Sequence, residues 1–214
     1  MILLTASKMP EGLDKDILAT SISLMFPHSD NDEYIDALRD RSNNASACES
    51  LYALALLYEQ IRSLPSLPTD TSELIFARNE MGKPYFKNSE IKFNISHSKG
   101  YIACACAVGE ELGVDIEASE ITAERAERLA KRYFCDLETS EVIAHPEIFA
   151  RKWTEKEARA KFCGESVEKI LSDDRNNPDF INCGDICLHR FSLENIPVTL
   201  CTKSKFSTIS FTVQ

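Results

Sequence analysis

The pattern of this chain predicts a mixed α+β fold, with blocks of helix and strand in each half. Three observations carry that expectation. Apolar residues recur at helical spacing through much of the first sixty-odd residues. After the proline-containing stretch SLPSLPTD the texture changes to short β-rich runs, from Ser72 to Glu117. Helical spacing then returns and gives way to strand-like runs at the end, so helix and strand blocks appear on both sides of the middle. With 214 residues and a hydrophobic fraction of 43%, the chain can bury a real core as one domain or as two compact halves.

The elements follow in order. MILLTA reads as a short buried strand. EGLDKDILATSISLMF carries Leu13, Ile17 and Leu24 at roughly helical spacing, with Thr20 and Ser21 interrupting the stripe. DNDEYIDALRDR is a second helix with Asp30 or Asp32 near its N-cap. NASACESLYALALLYEQIRSL is a third, longer helix that stops at Leu64–Pro65, because the residue before a proline is pushed out of the α region. ELIFAR, PYF, IKFNIS, YIACACAV and LGVDIE read as strands, with Gly82, Gly100, Gly109 and Gly113 supplying turns. TAERAERLAKRYF and PEIFARKWTEKEARAKF are helices, and the stretch from Phe180 to Val213 reads as strands again. The sequence has no internal repeat and no low-complexity segment.

Composition removes several classes. Twenty-four basic against 34 acidic residues give a net charge of −10, which argues against a nucleic-acid binder but leaves room for a locally basic pocket. No run of 18 apolar residues predicts a membrane span, and MILLTASKMPEG lacks the basic start of a signal peptide, so the expected location is the cytoplasm. The 8 cysteines fit a reducing compartment as small hydrophobes, Cys104 and Cys106 among them. Cys183 and Cys187 with His189 lack a second ligand pair and make a poor zinc motif.

Three segments carry chemistry. In Gly113-Val114-Asp115-Ile116-Glu117, strand alternation puts Asp115 and Glu117 on one face. A divalent cation removes their repulsion, and oxygen-only ligands suit magnesium; the plain alternative is a pair of solvated acids. In the helix around Trp153-Thr154-Glu155-Lys156-Glu157, residues four apart share a face, so Trp153, Glu157 and Lys161 form one stripe with Lys156 at its flank. Trp153 anchors that stripe to the core; the alternative is a solvated Glu–Lys pair worth a few tenths of a kcal/mol. Asn94-Ile95-Ser96-His97-Ser98 ends a strand before Gly100, where hydroxyls and an imidazole can donate to phosphate oxygens or serve structure alone. Taken together, a phosphate-rich substrate needs fixed cations, and Lys83, His97, Lys156 and Lys161 are the candidates. Each charge-assisted bond to phosphate contributes roughly 1.5–3 kcal/mol.

On Gly82-Lys83-Pro84, Asn94 to Ser98, Gly113 to Glu117 and Trp153 to Lys161, in that order over about residues 75–162, the sequence resembles the 4'-phosphopantetheinyl transferases of the larger, surfactin-synthetase-activating type. The resemblance implies two similar α/β halves, residues 1–99 and 100–214, related by a pseudo-twofold axis with coenzyme A in the cleft between them. It implies a monomer, a magnesium ion, an apo acyl-carrier or peptidyl-carrier protein as acceptor, and adenosine 3',5'-bisphosphate as second product. Residue by residue it implies Asp115, Glu117 and Glu157 as metal ligands, Glu157 also as base, and Lys161 at the reacting phosphate. It further implies that Lys83 and His97 hold coenzyme A phosphates, with Ser96 nearby, and Lys156 beside the helix stripe is the further candidate for that role.

The chain departs from that pattern upstream. FPHSDNDEYIDALRDR is acidic, and Glu49 stands where an arginine is expected, leaving Arg39 or Arg41 as the substitute. Arg125, Arg128, Lys131 and Arg132 offer a basic helix face for an acidic carrier, or a merely solvated one. The rival readings are a magnesium-dependent phosphohydrolase or nucleotidyl transferase, against which stands the lack of a G-x-x-x-x-G-K-[ST] or G-x-G-x-x-G loop, and a non-catalytic coenzyme A-binding relative.

Overall fold

The computed structural model describes residues 1–64, 70–176, 186–203 and 208–214. Residues 65–69 of the expected linker, residues 180–185 at the start of the last strand block, and Cys183 lie outside the described residues.

The apolar N-terminal run forms β1 (Ile2–Lys8), in which Ile2, Leu4 and Ala6 are fully buried. Three helices follow. α1 (Lys15–Met25) is capped by Asp14, whose carboxylate accepts from the backbone N–H of Asp16 and Ile17. A 3₁₀ turn over Ser29–Asn31 leads into α2 (Asp32–Arg39), and α3 (Asn44–Arg62) is capped by Asn43. Asp30 and Asp32 flank the N-cap of α2 as expected, while the cap residue is Asn31, whose buried side chain makes no capping bond but donates to the carbonyls of Phe26 and Leu74 and accepts from Phe76 N–H.

β2 (Phe76–Arg78) and β3 (Pro84–Phe86) form a short antiparallel ribbon. β4 (Ile91–Ser98) and β5 (Tyr101–Val108) form a hairpin beside β1. With β9 (Ile209–Val213) parallel to β1, the first sheet has the order β4-β5-β1-β9. The second sheet, order β6-β8-β7, is built from β6 (Leu112–Ile116), β7 (Cys187–Leu193) and β8 (Ile196–Thr202), all antiparallel.

Among the described residues, four α-helices lie between β6 and β7: α4 (Ala123–Tyr133), α5 (Asp136–Ala144), α6 (Phe149–Cys163) and α7 (Val167–Asn176). α5 and α7 escaped the sequence reading because DLETSEVIA and VEKILSDDRN are dominated by polar residues, with too few apolar positions to mark a stripe.

Alternation along the strands fixes the layers. One face of the first sheet, with Phe93, Cys104 and Cys106, packs on α3 through Leu51, Leu54 and Leu57. The other face, with Ile2, Leu4, Ala103 and Ala105, packs on Leu112, Val114, Ile116 and Leu200 of the second sheet. The second sheet is covered in turn by α6. The expected division at residues 99 and 100 therefore falls in the turn of the β4–β5 hairpin, and β9 from the far end of the chain completes the sheet that β1 begins. Cys48, Cys104, Cys106, Cys135 and Cys201 are buried free thiols. Cys187 is a free thiol on β7, and His189 on the same strand bonds Thr202 Oγ1 at 3.0 Å.

Candidate active site

β6 lies against the backbone of α6 because residue 113 is glycine. A Cβ there would stand 2.2 Å from Ala158 O and 2.4 Å from Phe162 N, so no other residue fits without moving the helix. Asp115, two residues on and on the same face, is thereby set beside the last turn of α6. Its Oδ1 accepts from Lys161 Nζ at 2.7 Å and from Ser96 Oγ at 2.7 Å, and Lys161 Nζ also donates to Ser96 Oγ at 2.9 Å. Asp115 is only 6% exposed. Burial pushes its carboxyl above the usual range, although Lys161 and Ser96 pull it back. Glu157, one turn before Lys161, is half-buried, and its carboxyl is raised first by burial and then by Asp115. Glu117 continues the face, its Oε1 accepting from Ser98 Oγ at 2.8 Å and from Ser119 N–H at 2.7 Å.

Period-two geometry explains the Asn94 to Ser98 segment. Asn94, Ser96 and Ser98 point along the free edge of β6: Asn94 Oδ1 accepts from Val114 N–H at 2.7 Å, Ser96 reaches Asp115, and Ser98 reaches Glu117. No backbone ladder joins the two strands, so these side chains make the seam between the sheets. His97 points the other way, toward α3. Its Nδ1 is 2.8 Å from Glu49 Oε2 and its Nε2 is 3.1 Å from Ser50 Oγ. Glu49 Oε1 accepts from Gly100 N–H at 2.5 Å, and Arg41 donates to Ser50 Oγ at 2.6 Å.

These groups border a cavity of about 240 Å³ lined by Tyr34, Arg41, Ser50, Arg78, Gly82, Pro84, Ser96, His97 and Lys161, among others. Arg78 lies over the Tyr34 ring at 5.0 Å, and burial pushes the Tyr34 hydroxyl up to about 12. Burial and the neighbouring Arg78 lower the Arg41 guanidinium, which remains charged. The cavity thus gathers the cationic side chains of Arg41, Arg78 and Lys161 within a protein of net negative charge.

The structure brings together Asp115, Glu157, Lys161 and Ser96, joins Glu117 through Ser98, and places His97 in the adjoining cavity. Two expected phosphate ligands are corrected. Lys156 is 2% exposed and points into the helical layer, where Nζ is bound by Asp174 at 2.8 Å and Glu138 at 2.9 Å, with Arg159 donating to Asp174 at 2.7 Å. Lys83 Nζ donates to the carbonyls of Lys161, at 2.8 Å, and Leu112, at 3.2 Å, so it caps the C-terminal turn of α6; only its neighbours Gly82 and Pro84 line the cavity. Of the two upstream arginines, Arg39 sits on the surface with Asp36 and Asp40, and Arg41 is the one in the cavity. Trp153 does anchor α6: it packs against the cluster of Ala126, Ala130 and Phe134 and meets the Tyr133 ring of α4 edge-on at 6.1 Å. Arg78, Tyr34 and Ser50 carried no motif; the short strand ELIFAR ending in an arginine just before Gly82 was the one available sign.

Among the described residues, no three His, Cys, Asp or Glu side chains stand in a ready-made metal cluster. The donor chemistry nonetheless fits a hard divalent cation. Asp115, Glu117 and Glu157 offer oxygen alone, and they lie close enough that Asp115 raises the proton affinity of Glu157 and Glu117 that of Asp115. What occupies Asp115 in this arrangement is the ammonium of Lys161.

Residues 111–213 match the family model described as the 4'-phosphopantetheinyl transferase superfamily. AcpT of Escherichia coli K12, a 4'-phosphopantetheinyl transferase, is 33% identical over 166 residues, which is 75% of this chain and 77% of that protein. HetI of Nostoc sp. is 33% identical over 113 residues, 49% of this chain and 47% of its own length. The enzyme gsp of Aneurinibacillus migulanus is 31% identical over 127 residues, 58% and 52% respectively. The match thus spans about half the length of HetI and gsp.

Proposed function

This chain belongs to the 4'-phosphopantetheinyl transferase superfamily, and on that premise we propose that it transfers the 4'-phosphopantetheine moiety of coenzyme A to a serine of an apo acyl-carrier or peptidyl-carrier protein, with Mg²⁺, releasing adenosine 3',5'-bisphosphate. One observation carries the reading: a cluster of carboxylates and a cation-lined cavity share a wall made of Ser96 and Lys161. A pyrophosphate fits that juxtaposition, with reacting phosphorus by the carboxylates and the remaining phosphates toward Arg41, Arg78 and His97.

In the reaction the carrier serine Oγ forms a bond to the β-phosphorus of coenzyme A, and the bond from that phosphorus to the bridging oxygen breaks. The serine proton leaves to a base, and the bisphosphate departs with the bridging oxygen. Glu157 suits the base, because burial and Asp115 raise its proton affinity, and such assistance gives roughly 10²–10⁴-fold. Lys161 is shared between Asp115 and Ser96, so it can turn to a phosphate oxygen without leaving the site. Asp115, Glu117 and Glu157 are the residues that would hold magnesium, which supplies charge neutralisation on the pyrophosphate.

The helix-on-sheet units under α3 and α6 support a pseudo-twofold arrangement, with residues 1–99 and 100–214 as approximate halves, the second lending β5 and β9 to the sheet of the first. Both sides of the cleft come from one chain, which supports a monomer, and the buried thiols suit a reducing cytoplasm. A second cavity of about 290 Å³ beside Glu117, floored by Ile121, Leu129, Phe149 and Trp153 and rimmed by Lys99 and Arg125, supports carrier docking next to α4.

The test is an intact-mass measurement on apo-carriers incubated with coenzyme A, magnesium and this protein. A gain of one phosphopantetheine on the carrier is expected. An unmodified carrier with free phosphate released from the nucleotide would instead mark a phosphohydrolase and overturn the reading.

A further inference from the structure

We infer that Glu49, His97 and Ser50 form a proton-linked latch on the phosphate cavity: an entering phosphate takes the place of Ser50 at His97 Nε2, and the imidazole takes up one proton from solvent to hold it, with Glu49 as counter-charge. The inference rests on the coenzyme A reading above and assigns to Glu49 a positioning role.

The direction of each hydrogen bond requires this chemistry. The Glu49 carboxylate, 7% exposed, accepts from Gly100 N–H through Oε1 and faces His97 Nδ1 through Oε2. An ionised carboxylate only accepts, so the imidazole proton sits on Nδ1. A neutral ring then has a bare lone pair at Nε2, which accepts from the Ser50 hydroxyl, and Ser50 Oγ in turn accepts from Arg41. The chain Gly100–Glu49–His97–Ser50–Arg41 is satisfied throughout. A phosphate dianion offers acceptors alone, so it cannot be held by that lone pair; the ring binds it only as imidazolium.

The groups facing His97 are Glu49 and Ser50 of α3, Arg41 before α3, and Lys161 of α6. Arg78 shares the cavity. Burial, Arg41 and Lys161 favour the neutral ring while the cavity is empty; Glu49 opposes them, and an arriving phosphate offsets the cations. The sign follows. A ring with lowered proton affinity in the free protein and raised affinity in the complex takes up a proton on binding, so affinity falls as pH rises between the two values.

Glu49→Gln separates the latch from simple packing. The amide keeps an acceptor for Gly100 N–H and offers an N–H to Nδ1, which moves the ring proton to Nε2. The neutral ring can then donate to phosphate with no proton uptake. The experiment is titration calorimetry of the whole protein with coenzyme A, without carrier, in buffers of different ionisation enthalpy above pH 7, where phosphate monoesters (second pKa about 6) are already dianions. The parent protein is expected to take up about one proton per coenzyme A at full linkage, its affinity falling by up to about tenfold per pH unit. Glu49→Gln is expected to bind with uptake abolished and a flat pH profile, and His97→Asn, at a side chain 25% exposed, to bind more weakly and also without uptake. Coenzyme A binding by the parent with no proton uptake, or uptake preserved in Glu49→Gln, overturns the latch and leaves the transferase reading standing. No binding of coenzyme A by the parent overturns both.

Discussion

Adjacent residues of α6 belong to two charge clusters of opposite character. On one side Lys156 and Arg159 are met by Glu138 and Asp174, two cations to two anions, all buried and closed by bonds of 2.7 to 3.1 Å. On the other, Asp115, Glu117 and Glu157 face one ammonium, Lys161. A buried cluster that balances its own charge has nothing left to bind; it fixes the helix. The second cluster holds more acids than cations, and burial first, with like charge adding to it, raises the carboxyls of Asp115 and Glu157. The difference separates buried charges that neutralise one another from buried charges left in excess.

The comparison breaks most visibly in activity. Asp115→Ala and Glu157→Ala should keep the fold, with melting temperatures within a few degrees of the parent, and lose transfer, for Glu157 by at least about 10²-fold. Carrier modification at the parent rate in either variant would remove the unbalanced cluster from the chemistry. The balanced cluster should behave in reverse. Asp174→Ala takes the carboxylate from Arg159 and leaves Glu138 as the one anion facing Lys156, which should cost about 3–5 kcal/mol in urea unfolding. If stability were unchanged, the cluster would not be holding α6. Gly113→Ala sharpens the contrast from between the two. The added methyl meets the α6 backbone at 2.2 Å, and overpacking of this kind costs about 1–3 kcal/mol. Because it pushes β6 off the helix, transfer should fall more than stability does; an equal fall would mean that Asp115 is not positioned by this contact.

Much of the architecture was legible in local pattern. Strands and helices with clean periodicity were found, and the Asp115, Glu157 and Lys161 face emerged because each motif is contiguous. Lys156 was misread for a physical reason. Successive helix residues are turned about 100° apart, and the partners that draw Lys156 inward come from α5 and α7, which carry no strong periodic signal. The cation-lined cavity is hidden likewise, since Tyr34, Arg41, Ser50 and Arg78 come from separate segments that meet only in the folded chain. Glu49 looked like a lost cation in the sequence; its bond to His97 is visible only where α3 crosses the β4–β5 turn.

The cysteines of the first sheet have a practical corollary. Thiol reagents and oxidants attack the thiolate, and burial holds Cys106 up to about 12 and Cys104 higher than its ordinary value. Alkylating agents therefore leave the interior alone. Among the described cysteines, Cys163 is the exposed one, two residues beyond Lys161, so a fluorophore attached there would report on the end of α6 while the protein works.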